Sequence, residues 1–138
     1  MLAELRIFKT KWLARFTRRE GIDDQSLREA IERAEQGLID ADLGGGLIKQ
    51  RVARSGRGRS GGYRMVVGYR LRERAVFLFG FAKNKRDNLE DDELLSLREK
   101  AEIWLTADGS RLQKELEIGN LQEIEDGEEN ERGGGSNS

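Results

Sequence analysis

At 138 residues the chain has the length of one domain, but 37% of its residues are charged and its mean hydropathy is -0.72, so any core is lean. It carries 25 Lys or Arg against 26 Asp or Glu, with no His and no Cys. That excludes disulfides, thiolate and His-based metal sites, a Ser-His-Asp triad and a paired-His ribonuclease. The near-neutral total hides a strong internal polarity: residues 1–46 hold 8 basic and 9 acidic groups, 47–86 hold 12 and 1, and 87–138 hold 5 and 16. The middle segment should attract polyanions and the last third should repel them. No basic-then-apolar leader or long apolar run occurs, so the expectation is a cytoplasmic, soluble protein with no membrane partner.

Leu5 to Phe8 predicts a short first strand. Thr10 is placed to cap a helix over 11–19 with Trp12, Leu13 and Phe16 on one face, and Gly21 stops it. A second helix follows over 24–36, where Leu27, Ile31, Ala34 and Leu38 keep the helical repeat and Asp23 or Asp24 caps it. Leu47 to Ala53 alternates as a strand, which sets Lys49 and Arg51 on one face about 7 Å apart. Strands are also predicted over 63–71 and 75–82, joined by a short turn at Arg72-Glu73-Arg74. The run Val76 to Phe81 is apolar on both faces, as suits a central strand. A third helix is expected over 91–105, with Leu94, Leu97, Ala101 and Trp104 or Leu105 as its buried stripe and acids in its first turn. Asp108 is placed to cap a fourth helix ending at Gly119, and the acidic, then Gly-rich, end reads as a disordered tail. The expected organisation is a domain over 1–119 and a tail over 120–138.

Four groups of residues carry possible chemistry. The loop Arg57-Gly58-Arg59-Ser60-Gly61-Gly62 lacks the Gly-Lys-Ser/Thr of a P-loop; it reads equally well as a phosphate-contacting loop or a solvated hairpin. Its flanking strands supply Lys49, Arg51, Arg54 and Arg64, which favours the first reading. Tyr63, Met65, Val67 and Tyr69 share one strand face and Arg64, Val66, Gly68 and Arg70 the other. The tyrosines suit the core with a wet hydroxyl, whereas Arg64 interrupts an apolar run beside a basic strand. After the central strand come Lys83, Lys85 and Arg86, at a strand end where clefts form, although charge there also serves solubility. The acids Glu90 to Glu93 fit a helix start better than a Mg²⁺ site.

Read together, GLIDADLGGGLIKQRVAR (Gly37 to Arg54), GRSGGYR (Gly58 to Arg64) and FLFGFAKNKRDNL (Phe77 to Leu89), followed by DDEL, resemble the RelE/HigB branch of the RelE/ParE toxin superfamily. The resemblance runs over about residues 5–107. It implies an α+β fold: a small, mostly antiparallel sheet with N-terminal helices on one face, a C-terminal helix and a basic concave face. It also implies a bacterial type II toxin that cuts mRNA, usually at the ribosome, and that is held idle by a cognate antitoxin, often of helix-turn-helix type. Arg64 matches the strand arginine of the family's Gly-Tyr-Arg motif, Lys49 and Arg51 the preceding cationic strand, and Lys83 and Arg86 the basic motif after the last strand. One departure matters: no aromatic lies between Phe81 and Trp104, where RelE itself carries a catalytic tyrosine.

The resulting expectation is metal-independent cleavage with no cofactor, in which the RNA 2′-OH attacks the adjacent phosphate. Arg64, Arg86, Lys83 and Lys49 are the candidate catalytic residues: the arginines clamp phosphate and Lys49 or Lys83 takes the proton. Arg51, Arg54, Arg57, Arg59 and Lys85 are the candidate RNA-binding residues. A ParE-like toxin acting on DNA gyrase, and a non-catalytic RNA-binding module, are the alternatives.

Overall fold

The computed structural model describes residues 4–53 and 62–125. Arg54, Arg57, Arg59 and the tail beyond residue 125 lie outside the described residues. In chain order the elements are β1 (Arg6–Thr10), α1 (Lys11–Glu20), α2 (Asp24–Glu35), β2 (Ala41–Gly44), β3 (Leu47–Val52), β4 (Tyr63–Arg70), β5 (Arg74–Ala82), α3 (Asp91–Thr106), α4 (Gly109–Ile118) and β6 (Leu121–Ile124). They form one six-stranded sheet in the order β2-β3-β4-β5-β1-β6. Only the β1–β5 pair is parallel; the other four pairs are antiparallel. The fold is thus the expected α+β architecture.

The helix boundaries follow from local chemistry. The Thr10 hydroxyl accepts from the Leu13 amide at the start of α1, and the Asp23 and Asp108 carboxylates do the same for Ser26 and Arg111 in α2 and α4. Gly21 and Gly119 end α1 and α4 in the left-handed conformation. At α3, Glu90 and Glu93 form a reciprocal capping box. Two arginines close the other end of α3: Arg74 donates to the carbonyls of Trp104, Leu105 and Ala107, and Arg70 to that of Leu105. These are the orphan carbonyls of a helix C-terminus, where cations are favoured.

Both faces of the sheet are covered. Helices α1 and α2 lay Leu13, Phe16, Leu27 and Ile31 against Ile48, Tyr63, Met65, Val67 and Phe77. Helices α3 and α4 lay Leu97, Ala101, Leu105 and Leu112 against Phe8, Leu47, Val66, Val76, Leu78 and Phe81. The basic face is therefore not open along its whole length, because α3 and α4 sit on part of it. Helix α3 lies close to β4 at Gly68, where an added Cβ would lie 3.2 Å from the Ala101 Cβ and 3.3 Å from its Cα. Beneath α2, the fully buried Gln50 amide donates to the carbonyls of Ala30 and Leu38 and accepts from the Asp40 amide. These bonds satisfy the Gln50 side-chain amide and lock the α2–β2 connection onto β3.

A single irregularity in β5 has a large effect. Val66 pairs with Phe79, but Val67 pairs with Phe77, so Leu78 is an extra residue. Such a bulge reverses the faces of everything beyond it. Phe77 packs beneath α1 and α2, whereas Phe79 and Phe81 pack on the α3 side.

Candidate nucleic-acid interface

The accessible region of the α3-side face lies at the C-terminal ends of β3 and β5, where Arg51 is exposed and Lys49, Arg64 and Phe79 are half-buried, while Val66 and Phe81 between them are buried. Strand register arranges it in two adjacent rows. One row runs Lys49–Val66–Phe79 and the next Arg51–Arg64–Phe81. Each begins with a cation on β3 and ends with an aromatic ring on β5. Neighbouring rows on one face are about 7 Å apart and adjacent strands about 4.8 Å. The structure thus brings Lys49, Arg51 and Arg64 together on one face.

Arg51 and Arg64 are direct cross-strand partners, and like charges so placed repel. Asp40 relieves part of this: its carboxylate accepts the Arg51 amide at 2.6 Å and lies 3.7 Å from the guanidinium. Among the described residues Arg64 makes only a long 3.4 Å contact to the Tyr63 carbonyl. Among the described residues neither Arg64 nor Lys49 pairs with a carboxylate. Charge that the protein itself leaves unbalanced is charge an anionic ligand can use.

Arg86 reaches the same place from the turn after β5. Its guanidinium lies over the Phe81 ring, 5.3 Å from the centroid, and Phe81 is the cross-strand partner of Arg64. Arg86 is firmly held there. It donates to the Asn88 carbonyl at 3.2 and 3.0 Å and makes a two-pronged ion pair with Glu93 of α3. The pair raises the Arg86 pKa and holds the Glu93 carboxyl below its usual range. Lys83 and Lys85 are exposed in the turn itself, and the Lys83 amide donates to the Gly62 carbonyl, so this turn abuts the end of the Gly-Arg loop.

Both tyrosines lie on the other face. Tyr63 is 2% exposed among the α1–α2 core residues, with its hydroxyl donating to Glu20. Tyr69 donates to Glu35 at 2.6 Å, and burial followed by that hydrogen bond raises its pKa. The same Glu35 carboxylate accepts the amide of Arg72, a left-handed residue (φ 63) in the β4–β5 turn.

Several residues of this region were not evident from sequence. Asp40 and Glu93, the partners of Arg51 and Arg86, are distant or unremarkable in the chain and become legible only through strand and helix packing. Phe79 and Phe81 reach the basic face only because of the bulge at Leu78. Trp12, expected on a buried helix face, is instead 41% exposed and stacks on Phe79 at 4.8 Å.

A family model described as the RelE toxin of the RelE/RelB toxin–antitoxin system matches residues 5–124. The chain belongs to the RelE toxin family. It is accordingly a toxin of a type II toxin–antitoxin pair, and a cognate antitoxin is implied as its partner. The match extends through β6, the last strand of the sheet. No curated protein matches the chain. Among the described residues of this RelE-family toxin, no helix is long and apolar enough to cross a membrane.

Proposed function

We propose that this RelE-family toxin is an mRNA endoribonuclease that acts at the ribosome and cuts without a metal ion. The observation that carries this reading is the Lys49–Arg51–Arg64 cluster, in which Lys49 and Arg64 lack a carboxylate partner among the described residues. Such a face suits the backbone of single-stranded RNA.

In this reaction the 2′-oxygen attacks the neighbouring phosphorus, the bond from phosphorus to the 5′-oxygen breaks, and a 2′,3′-cyclic phosphate and a 5′-hydroxyl result. Negative charge gathers on the non-bridging oxygens at the transition state. Arg64 is the group that meets it, by a two-pronged guanidinium contact. Arg51 adds charge from the adjacent strand. Arg86 contributes a fixed positive charge over Phe81, since four hydrogen bonds already engage it. Lys49, one row from Arg64, or Lys83, in the turn after β5, takes the 2′ proton. The other protonates the leaving 5′-oxygen. Arg54, Arg57, Arg59 and Lys85 supply further contacts to the message. The two tyrosines take no part, because they belong to the opposite face.

Primer-extension mapping of a defined mRNA in a purified translation reaction tests the reading, with the mRNA alone as control. Discrete cuts only when ribosomes are present support it. Cuts in naked mRNA would remove the ribosome from the proposal. If neither reaction is cut while DNA gyrase is poisoned, the toxin acts on gyrase and the proposal fails.

A further inference from the structure

Beside the cation rows, α3 and β5 enclose a cleft of about 290 Å³ lined by Phe79, Asp92, Glu93, Ser96, Leu97 and Lys100. Its size is at the lower end of small-molecule sites. Phe79 forms its aromatic wall and is held by Trp12, whose ring stacks on it at 4.8 Å and 26° and on Phe16 at 5.4 Å and 11°. Two residues of the cleft also belong to the surroundings of the cations. Glu93 lines it and also grips Arg86, and Phe79 ends the row that begins at Lys49.

The geometry points to this cleft as a nucleobase subsite, in which a base carrying an exocyclic amino group stacks on Phe79 while its phosphate rests on Lys49 and Arg64. The inference rests on the ribonucleic-acid reading above and adds where a base goes. Three physical points lead to it. Lys49 and Phe79 are separated by two strand spacings, about 10 Å, which is the scale of one nucleotide from phosphate to base. Two carboxylates, Asp92 and Glu93, against the one cation Lys100 make the cleft less favourable to a phosphate than the cation rows, so the two places sort the halves of a nucleotide. Ionised carboxylates only accept hydrogen bonds, so they favour an amino edge over the carbonyl edge of uracil. Of the two, Glu93 is committed to Arg86 and the Glu90 amide, whereas Asp92 accepts the Glu93 amide on Oδ1 alone and has Oδ2 for the base. An aromatic platform of this kind is the usual way single-stranded RNA is held.

The test uses fluorescently labelled hexanucleotides of cytidine or uridine with 2′-O-methyl groups, which cannot be cut, titrated with the full-length protein at low salt. The two bases have the same ring size and differ at the amino edge. The wild type should bind the cytidine oligomer several-fold more tightly than the uridine one. Phe79→Leu, which keeps apolar bulk at this half-buried position, should weaken cytidine binding about 10-fold. Asp92→Ala, at an exposed position, should bring the two affinities together. Equal affinities in the wild type, or a Phe79→Leu protein that binds like the wild type, would overturn the subsite. Unchanged binding in Phe79→Leu together with a loss in Arg64→Ala would leave the RNA face standing and assign the cleft to a protein partner. No binding of either oligomer by the wild type would overturn the subsite, while cutting of ribosome-bound message decides the RNA reading separately.

Discussion

Arg64 in β4 and Arg86 after β5 belong to one basic stretch, yet their surroundings give them different work. Arg64 faces a like charge on Arg51 and has no acid of its own among the described residues, whereas Arg86 is clasped by Glu93 and the Asn88 carbonyl. The pair has a definite pH signature. Because Arg86 depresses the Glu93 pKa, the stabilisation it gives is fully present above the ordinary glutamate value of about 4.3 and is lost as pH falls through the folded-state value. Melting curves of wild type and Glu93→Gln should therefore differ at neutral pH and converge as pH falls through the depressed Glu93 value; a difference that persists at still lower pH would show that the pair is not its source. Tyr69 is the second residue with a clear prediction. Tyr69→Phe removes a hydrogen bond to a carboxylate and should cost about 1–3 kcal/mol in urea unfolding. Message cutting should be unaffected, since Tyr69 packs with the α1–α2 core.

Among the elements, those with strong local signals could be read from the chain. The caps Thr10, Asp23 and Asp108 and the stops Gly21 and Gly119 lie where the sequence puts them, and α3 buries the expected Leu97, Ala101 and Leu105. Two edge strands carry no local signal, for a physical reason. Ala41-Asp42-Leu43-Gly44 contains poor strand formers, and Leu121-Gln122-Glu123-Ile124 is only one turn of alternation; each is a strand only through the partner it pairs with. The bulge at Leu78 was equally hidden, and it decides which side of the sheet receives Phe79 and Phe81. Of the candidate site, the cations on β3 and β4 were legible from alternation alone, while the acids and rings around them depend on tertiary packing. Gly68→Ala tests the packing of α3 on β4. The backbone of Ala101 blocks the new methyl, so α3 must shift, at a cost of about 1–3 kcal/mol in chemical denaturation. A change near zero would mean that α3 is not held closely against the sheet.

Over the whole molecule, the charge map overstates the interface. Of the 12 cations between residues 47 and 86, Arg70 and Arg74 serve the C-terminal carbonyls of α3 rather than a ligand. Burial lowers the Arg74 pKa, which marks it as part of the structure. Salt dependence separates the two kinds of cation. Each phosphate contact to single-stranded RNA contributes about 0.7 to the slope of log affinity against log salt. Arg64→Ala should flatten the slope by about that amount, and Arg74→Met should lower stability yet leave the slope unchanged. The opposite pattern would move the interface towards the α3 end of the sheet.

The most direct measurement is the rate at which Arg64→Ala and wild-type protein cut the same ribosome-bound message, with equal folding checked by circular dichroism. Loss of one transition-state contact of about 2–4 kcal/mol predicts a rate ~30- to 1,000-fold lower for the variant. A variant that cuts as fast as the wild type would contradict the assignment of the reaction to this face.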